Sequence, residues 1–219
     1  MNEEFFGRLR EKVLPYFEAG NGHGFDHVDR VYRLALKISE GEGADMDIVR
    51  AAVLLHDVAR SKEKEVPSNE PGIRDICHAK EGAKMATGIL RSVNFPEEKI
   101  KPVAHAILVH RYSDNIKAET REAEILQDAD RLDALGAMVI VRMIESTLKW
   151  NCPIHDATIP VKKEYDGSKS TMINHIYEKI LKITPDSFKT PKAKEIAQGR
   201  YKFIEEFIKR YIGEVEGKL

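Results

Sequence analysis

Apolar residues recur at helical spacing along almost the whole chain, which leaves little room for a sheet. Phe5, Leu9, Val13 and Phe17 form the first such series. From Phe25 to about Glu40, residues Val28, Val31, Tyr32, Ala35, Leu36 and Ser39 share one side, and Gly41 and Gly43 end the segment. Asp45 is placed to cap a third helix, Met46 to about Arg60, with Asp47 favouring its first turn. His78 to about Ser92 reads as a fourth helix. Pro96 reads as the first residue of a fifth, which runs to about Tyr112. Arg121 to about Lys149 reads as one long segment. Thr171 to Ile183 and Pro191 to Gly213 complete the series, the last with Thr190 as cap. The expected fold class is an all-α bundle. Two polar stretches, residues 61–77 and 151–170, exceed the usual connection length, and such loops often act as lids. The second leaves room for a short hairpin near residues 158–169.

A chain of 219 residues, 42% hydrophobic and 32% charged, is expected to form a single domain over residues 1–219. The net charge of −1 points to neither a nucleic-acid polymer nor a membrane surface as partner. Met1 to Ala19 carries Glu3 and Glu4 and no long apolar core, unlike a signal peptide. No apolar run approaches the ~18 residues of a membrane span. Cys77 and Cys152 lack metal-type spacing and are expected to be free thiols in a reducing cytoplasm. No glycine loop of the GxxxxGK[ST] type is present, which argues against triphosphate motor chemistry.

The stretch "AAVLLHDVAR", Ala51 to Arg60, sets His56 and Asp57 side by side in an apolar helix. Buried ionisable groups are costly unless paired or bound to a metal. His27 sits on the inward side of the preceding helix, and Asp130 interrupts an otherwise apolar helix in "EILQDADRLDALGAMVIVR". Three helices thus each bring an imidazole or a carboxylate inward. This donor set suits a first-row divalent metal, and bundle cores commonly house such sites. A buried His–Asp hydrogen-bond network accounts for the same spacing, and spacing alone does not choose between them.

The order of these residues resembles the HD-domain superfamily of metal-dependent phosphohydrolases. "GHGFDHVDRVYRLALKI", "AAVLLHDVAR" and "LQDADRLDALGA" carry the resemblance, over residues 23–142. The tail "INHIYEKILKI…TPKAKEIAQGRYKFIEEFI" is similar to the end of the bacterial branch, so helices over 171–213 are expected to pack on the motif core. The resemblance implies His27, His56, Asp57 and Asp130 as ligands of a divalent ion (Mn, Mg, Ni, Co, Fe or Zn). Asp128 is the runner-up for the last ligand, and Asp128 and Asp133 are candidate orienting groups. His78, His105 and His110 fall where some superfamily members carry ligands for a second metal. His78 and His110 are otherwise candidates for a pocket rim that touches phosphate. His105 lies five residues before His110, about 140° around a helix, so both cannot point at one centre.

The function implied is hydrolysis of phosphate bonds in nucleotides or related small phosphate compounds by a metal-activated water. Catalytic candidates are Asp57, His78, His110 and Asp133, the last two as proton relays. Arg30, Arg111 and Lys179 are candidates to bind substrate charge. His23 and Phe25 are placed to shape a pocket mouth. Two other classes share the motif: di-iron HD oxygenases, which need six protein ligands, and non-catalytic ligand-binding HD domains.

Overall fold

The computed structural model describes residues 1–17, 24–62, 78–111, 116–167 and 170–219. Among these it contains nine α-helices and no strand. They are α1 (Glu3–Val13), α2 (Phe25–Ile38), α3 (Met46–Leu55), α4 (His78–Ser92) and α5 (Glu97–Val109). The series continues with α6 (Arg121–Asp133), α7 (Ala137–Trp150), α8 (Met172–Glu178) and α9 (Pro191–Val215). No described helix is long and apolar enough to cross a membrane. The chain forms two compact units, Met1–Asp130 and Arg131–Leu219.

In the first unit α3 is the hub. Ile48, Val49, Ala51, Ala52, Val53, Leu54 and Leu55 are all buried, because a helix apolar on every side must be covered on every side. The helices α1, α2 and α5 pack on it, and α4 packs along α5. Asp45 caps α3 by accepting from the Asp47 and Ile48 backbone N–H groups at 2.9 and 3.4 Å. The helix ends sooner than its periodicity suggests. His56 is its C-cap, residues 56–59 turn, and a 3-10 turn follows over Arg60–Lys62. Pro96 takes the N-cap position of α5 and not its first turn, with ψ of 121°.

In the second unit α7 packs against α8 and α9. The segment read as one helix from Arg121 to Lys149 is two. Arg200 donates to the Leu132 carbonyl near the end of α6, and Gly136 then adopts φ of 82°, which an L side chain disfavours. A Cβ at Gly136 would also lie 3.1 Å from Arg200 Cγ.

The hairpin expected near residues 158–169 does not form over the described part, 158–167. Its backbone is held by α8 side chains instead of a strand ladder. Asn174 Nδ2 donates to the carbonyls of Ile159 (3.0 Å) and Pro160 (3.3 Å), and Lys162 N–H donates to Glu178 at 2.8 Å. Cys152 is in no disulfide among the described residues, and its Sγ–H donates to the Trp150 carbonyl at 3.6 Å. Cys77, His23 and most of the loop 61–77 lie outside the described residues.

Candidate metal centre

Six inward side chains of the first unit gather around Asp57, itself one of them. His27 comes from the first turn of α2, His56 and Asp57 from the end of α3, His78 from the start of α4, and Asp130 from α6. His110 is the C-cap of α5. At Gly82, one turn after His78, an added Cβ would lie 3.4 Å from the His56 carbonyl oxygen, so α4 approaches the end of α3 closely.

The six side chains form two triads of metal-ligating atoms. One is His27, His56 and Asp130; the other is Asp57, His78 and His110. His27 Nε2 is 3.3 Å from His56 Nε2 and 3.3 Å from Asp130 Oδ1. Asp57 joins the two groups by dividing its oxygens. Oδ2 lies 3.9 Å from His27 Nε2 and 3.8 Å from His56 Nε2. Oδ1 lies 3.4 Å from His78 Nε2 and 3.7 Å from His110 Nε2. Five of the six residues are buried, whereas the Asp130 side chain is 28% exposed and so gives the cluster an edge on solvent.

Two of the rings are set by the backbone. His56 Nδ1–H donates to the Val53 carbonyl at 2.7 Å, and His110 Nδ1–H donates to the Ile107 carbonyl at 2.6 Å. A carbonyl only accepts, so both rings carry a proton on Nδ1 and turn Nε2 toward Asp57. His78 differs: the Arg60 guanidinium lies 2.9 Å from its Nδ1 and 3.2 Å from its Nε2, and a guanidinium only donates.

The charges suit the same purpose. Burial pushes the His56 imidazole down to about 4, although Asp57 and Asp130 pull the other way, so this ring is neutral and available as a ligand. Burial alone would raise the Asp57 carboxyl. The imidazoles of His56, His110 and His27 outweigh it and hold the group well below the carboxylate range. Asp130 is likewise held far down by His27, His56 and His110 against the effect of burial. Burial lowers His110, but the Asp57 hydrogen bond and the charge of Asp130 more than offset it, and the net shift is upward. Ionised carboxylates and neutral imidazole, buried and oriented, are the donor types a divalent ion requires.

Other sequence candidates are placed elsewhere. Asp128 is fully buried and belongs to neither triad. His105 accepts from the Glu119 N–H at 3.3 Å and stands outside the cluster. Arg30 pairs with Asp26 at 2.6 Å, and Arg111 is partly exposed one residue past His110. In the second unit, buried Asp133 faces Arg142 at 3.3 Å, and Lys179 lies 5.1 Å over the Tyr165 ring. Sequence reasoning assigned nothing to Arg60 or Gln127. The available signals were a cation three residues after Asp57 and an amide interrupting the apolar face of α6.

The HD domain family matches residues 24–135 of this chain. The chain is similar to YpgQ of Bacillus subtilis, described as an uncharacterized protein, at 26% identity over 204 residues, 91% of this chain and 88% of YpgQ. The crystal structure of YpgQ in complex with ADP resembles this fold with a TM-score of 0.70 and 26% identity, over 96% of this chain and 94% of that one. A crystallised HD-superfamily hydrolase from Bacillus thuringiensis gives a TM-score of 0.76 and 31% identity over 98% of both chains. The matched span carries the His27, His56–Asp57 and Asp130 set on the helices described above, and the chain belongs to the HD domain family.

Proposed function

We propose that this chain is a metal-dependent phosphohydrolase acting on nucleotides or related small phosphate compounds. The observation that carries the reading is the division of Asp57 between two triads of ligand atoms. A divalent ion held by His27, His56, Asp57 and Asp130 would lower the pKa of a coordinated water and polarise a phosphoryl oxygen. The two imidazoles favour Fe, Co, Ni or Zn, and the two carboxylates also admit Mn or Mg. The second triad offers the same donor types and makes room for a second ion.

The chain's own residues supply the rest. The Val53 and Ile107 carbonyls hold His56 and His110 in their ligating tautomer. Two carboxylates at the centre repel a phosphate, so cationic side chains must offset them. Arg111 and Arg30 are the proposed anchors, with Lys179 the third. His110 and Asp133 are the proposed proton relays, His110 through its contact with Asp57. The ADP complex of YpgQ supports a nucleotide as ligand.

One observation favours a second reading. A di-iron oxygenase needs six protein ligands, and His27, His56, Asp57, His78, His110 and Asp130 make that number. One experiment separates the readings. Metal-free protein is supplied with each divalent ion in turn and assayed against nucleoside mono-, di- and triphosphates, phosphomonoesters and phosphodiesters. Metal-dependent release of phosphate or pyrophosphate, stopped by a chelator, is the expected result. Iron retained through aerobic purification, with oxygen uptake and no hydrolysis, overturns it in favour of the oxygenase. Nucleotide binding without turnover overturns it in favour of a non-catalytic ligand-binding role.

A further inference from the structure

We infer that Gln127 is a positioning residue that seats His110 against Asp57, and that α6 therefore builds both triads: one directly through Asp130, the other through this amide. The inference rests on the two-triad reading above. Gln127 is 4% exposed and lies on α6 three residues before Asp130. Val109 is the last residue of α5, and the carbonyls of a final helical turn have no donor within their own helix. Val109 is buried, so water cannot serve its carbonyl. Gln127 Nε2 donates to it. The same nitrogen donates to the Ile116 carbonyl at 3.2 Å. One amide nitrogen thus bonds both Val109, the residue before His110, and Ile116. Facing two carbonyl oxygens, the side chain must present its NH₂ and not its oxygen, so the chemistry fixes the amide orientation.

The seat of His110 depends on where α5 ends. Its Nδ1–H bond is to Ile107, one turn back, and its Nε2 reaches Asp57 Oδ1 only from that end. Without the Gln127 amide, the Val109 and Ile116 carbonyls lose their donor and this end of α5 loses its tie to α6. His27, His56 and Asp130 do not depend on that tie.

The test compares wild type with Gln127→Leu, which keeps the bulk and loses both donors. His110→Ala identifies the His110 signals. In metal-free protein, ¹⁵N–¹H spectra of the imidazoles should show a protected Nδ1 proton for both His56 and His110. Gln127→Leu should lose that of His110 alone. In Co²⁺ titrations followed by calorimetry and visible absorbance, the first ion should bind as in wild type. The second should bind about 10- to 100-fold more weakly, the usual cost of removing a residue that orients a ligand. A folded variant with the His110 signal and both affinities intact overturns the inference. So does equal loss of both signals and both ions, which marks a plain stability role. If the leucine variant does not fold, Gln127→Asn, one methylene short, is read in the same way. If wild type binds a single Co²⁺ ion, the two-ion reading fails, and the His110 proton signal alone then decides the role of Gln127.

Discussion

The two units bury polar side chains for opposite ends. In the first, His27, His56, His78, His110 and Asp57 are buried against one another, and each lies within 4 Å of another member. In the second, the buried polar groups mainly serve the backbone. Arg131 donates to the Ser187 carbonyl at 2.8 Å, the half-buried Arg200 to Leu132, and Asn174 to Ile159 and Pro160, while Glu178 accepts from Lys162 N–H. Among the described residues, only the first unit holds metal-type triads. A side-chain atom that is bonded to backbone has no capacity left for a ligand. A cluster of mutually facing acceptors and lone pairs keeps that capacity, and this separates a scaffold from a site.

The largest expected break of this contrast is Asp57→Ala. The substitution removes the carboxylate shared by both triads, so bound metal should fall to zero at both. Hydrolysis should drop by about three orders of magnitude or more, equivalent to roughly 4 kcal/mol of transition-state stabilisation. Circular dichroism should show the helices retained. Metal content by mass spectrometry and spectra on the same sample check it. Full metal occupancy in a folded, inactive variant would remove Asp57 from the ligand set.

The converse substitution in the second unit is Asn174→Leu. It deprives two partly buried carbonyls of a donor and should cost about 1–2 kcal/mol of stability. Metal content and affinity should match wild type. Denaturant unfolding alongside metal titration reads both. Weakened metal binding without loss of stability would erase the distinction drawn between the units.

The candidate metal-ligating residues were legible in sequence because a polar residue on an apolar helical face is conspicuous. His27, His56, Asp57 and Asp130 all carry that mark. His78 and His110 do not. Each stands at a helix end beside a polar stretch, where exposure is the ordinary state, and only the packing of α4 along α5 brings both to Asp57. The break between α6 and α7 was hidden for a similar reason. Gly136 is tolerable within a helix, and the residue that forces the turn, Arg200, lies 64 positions later in sequence. The absent hairpin follows the same logic, since its carbonyls are taken by Asn174 on another element. Local pattern reports what each segment prefers, and these three features depend on a partner far away in sequence.

The smallest expected effect is a pH dependence that belongs to the second unit alone. Burial pushes the His175 imidazole down to about 4, and the charge of Lys179 adds to the shift. Above the ordinary histidine value of about 6.5, folded and unfolded forms are both neutral, and the group makes no difference to stability. As pH falls below that value, the unfolded chain takes up the proton first. Stability is therefore lost between pH 6.5 and about 4, and below that the loss is constant. His175 is partly exposed, and solvent screening keeps the effect modest. His56 is shifted in the same direction in the metal-free protein, so the wild-type curve alone cannot isolate His175. The difference between wild type and His175→Asn can. In thermal melts of metal-free protein, the two curves should run parallel above about pH 7. Below it the wild type should lose stability faster, by a few degrees at most. A difference that stays constant from pH 7.5 to 4.5 would mean that His175 takes up its proton equally in both states. His175 would then add no pH dependence to the second unit, and the contrast with the first would be sharper still.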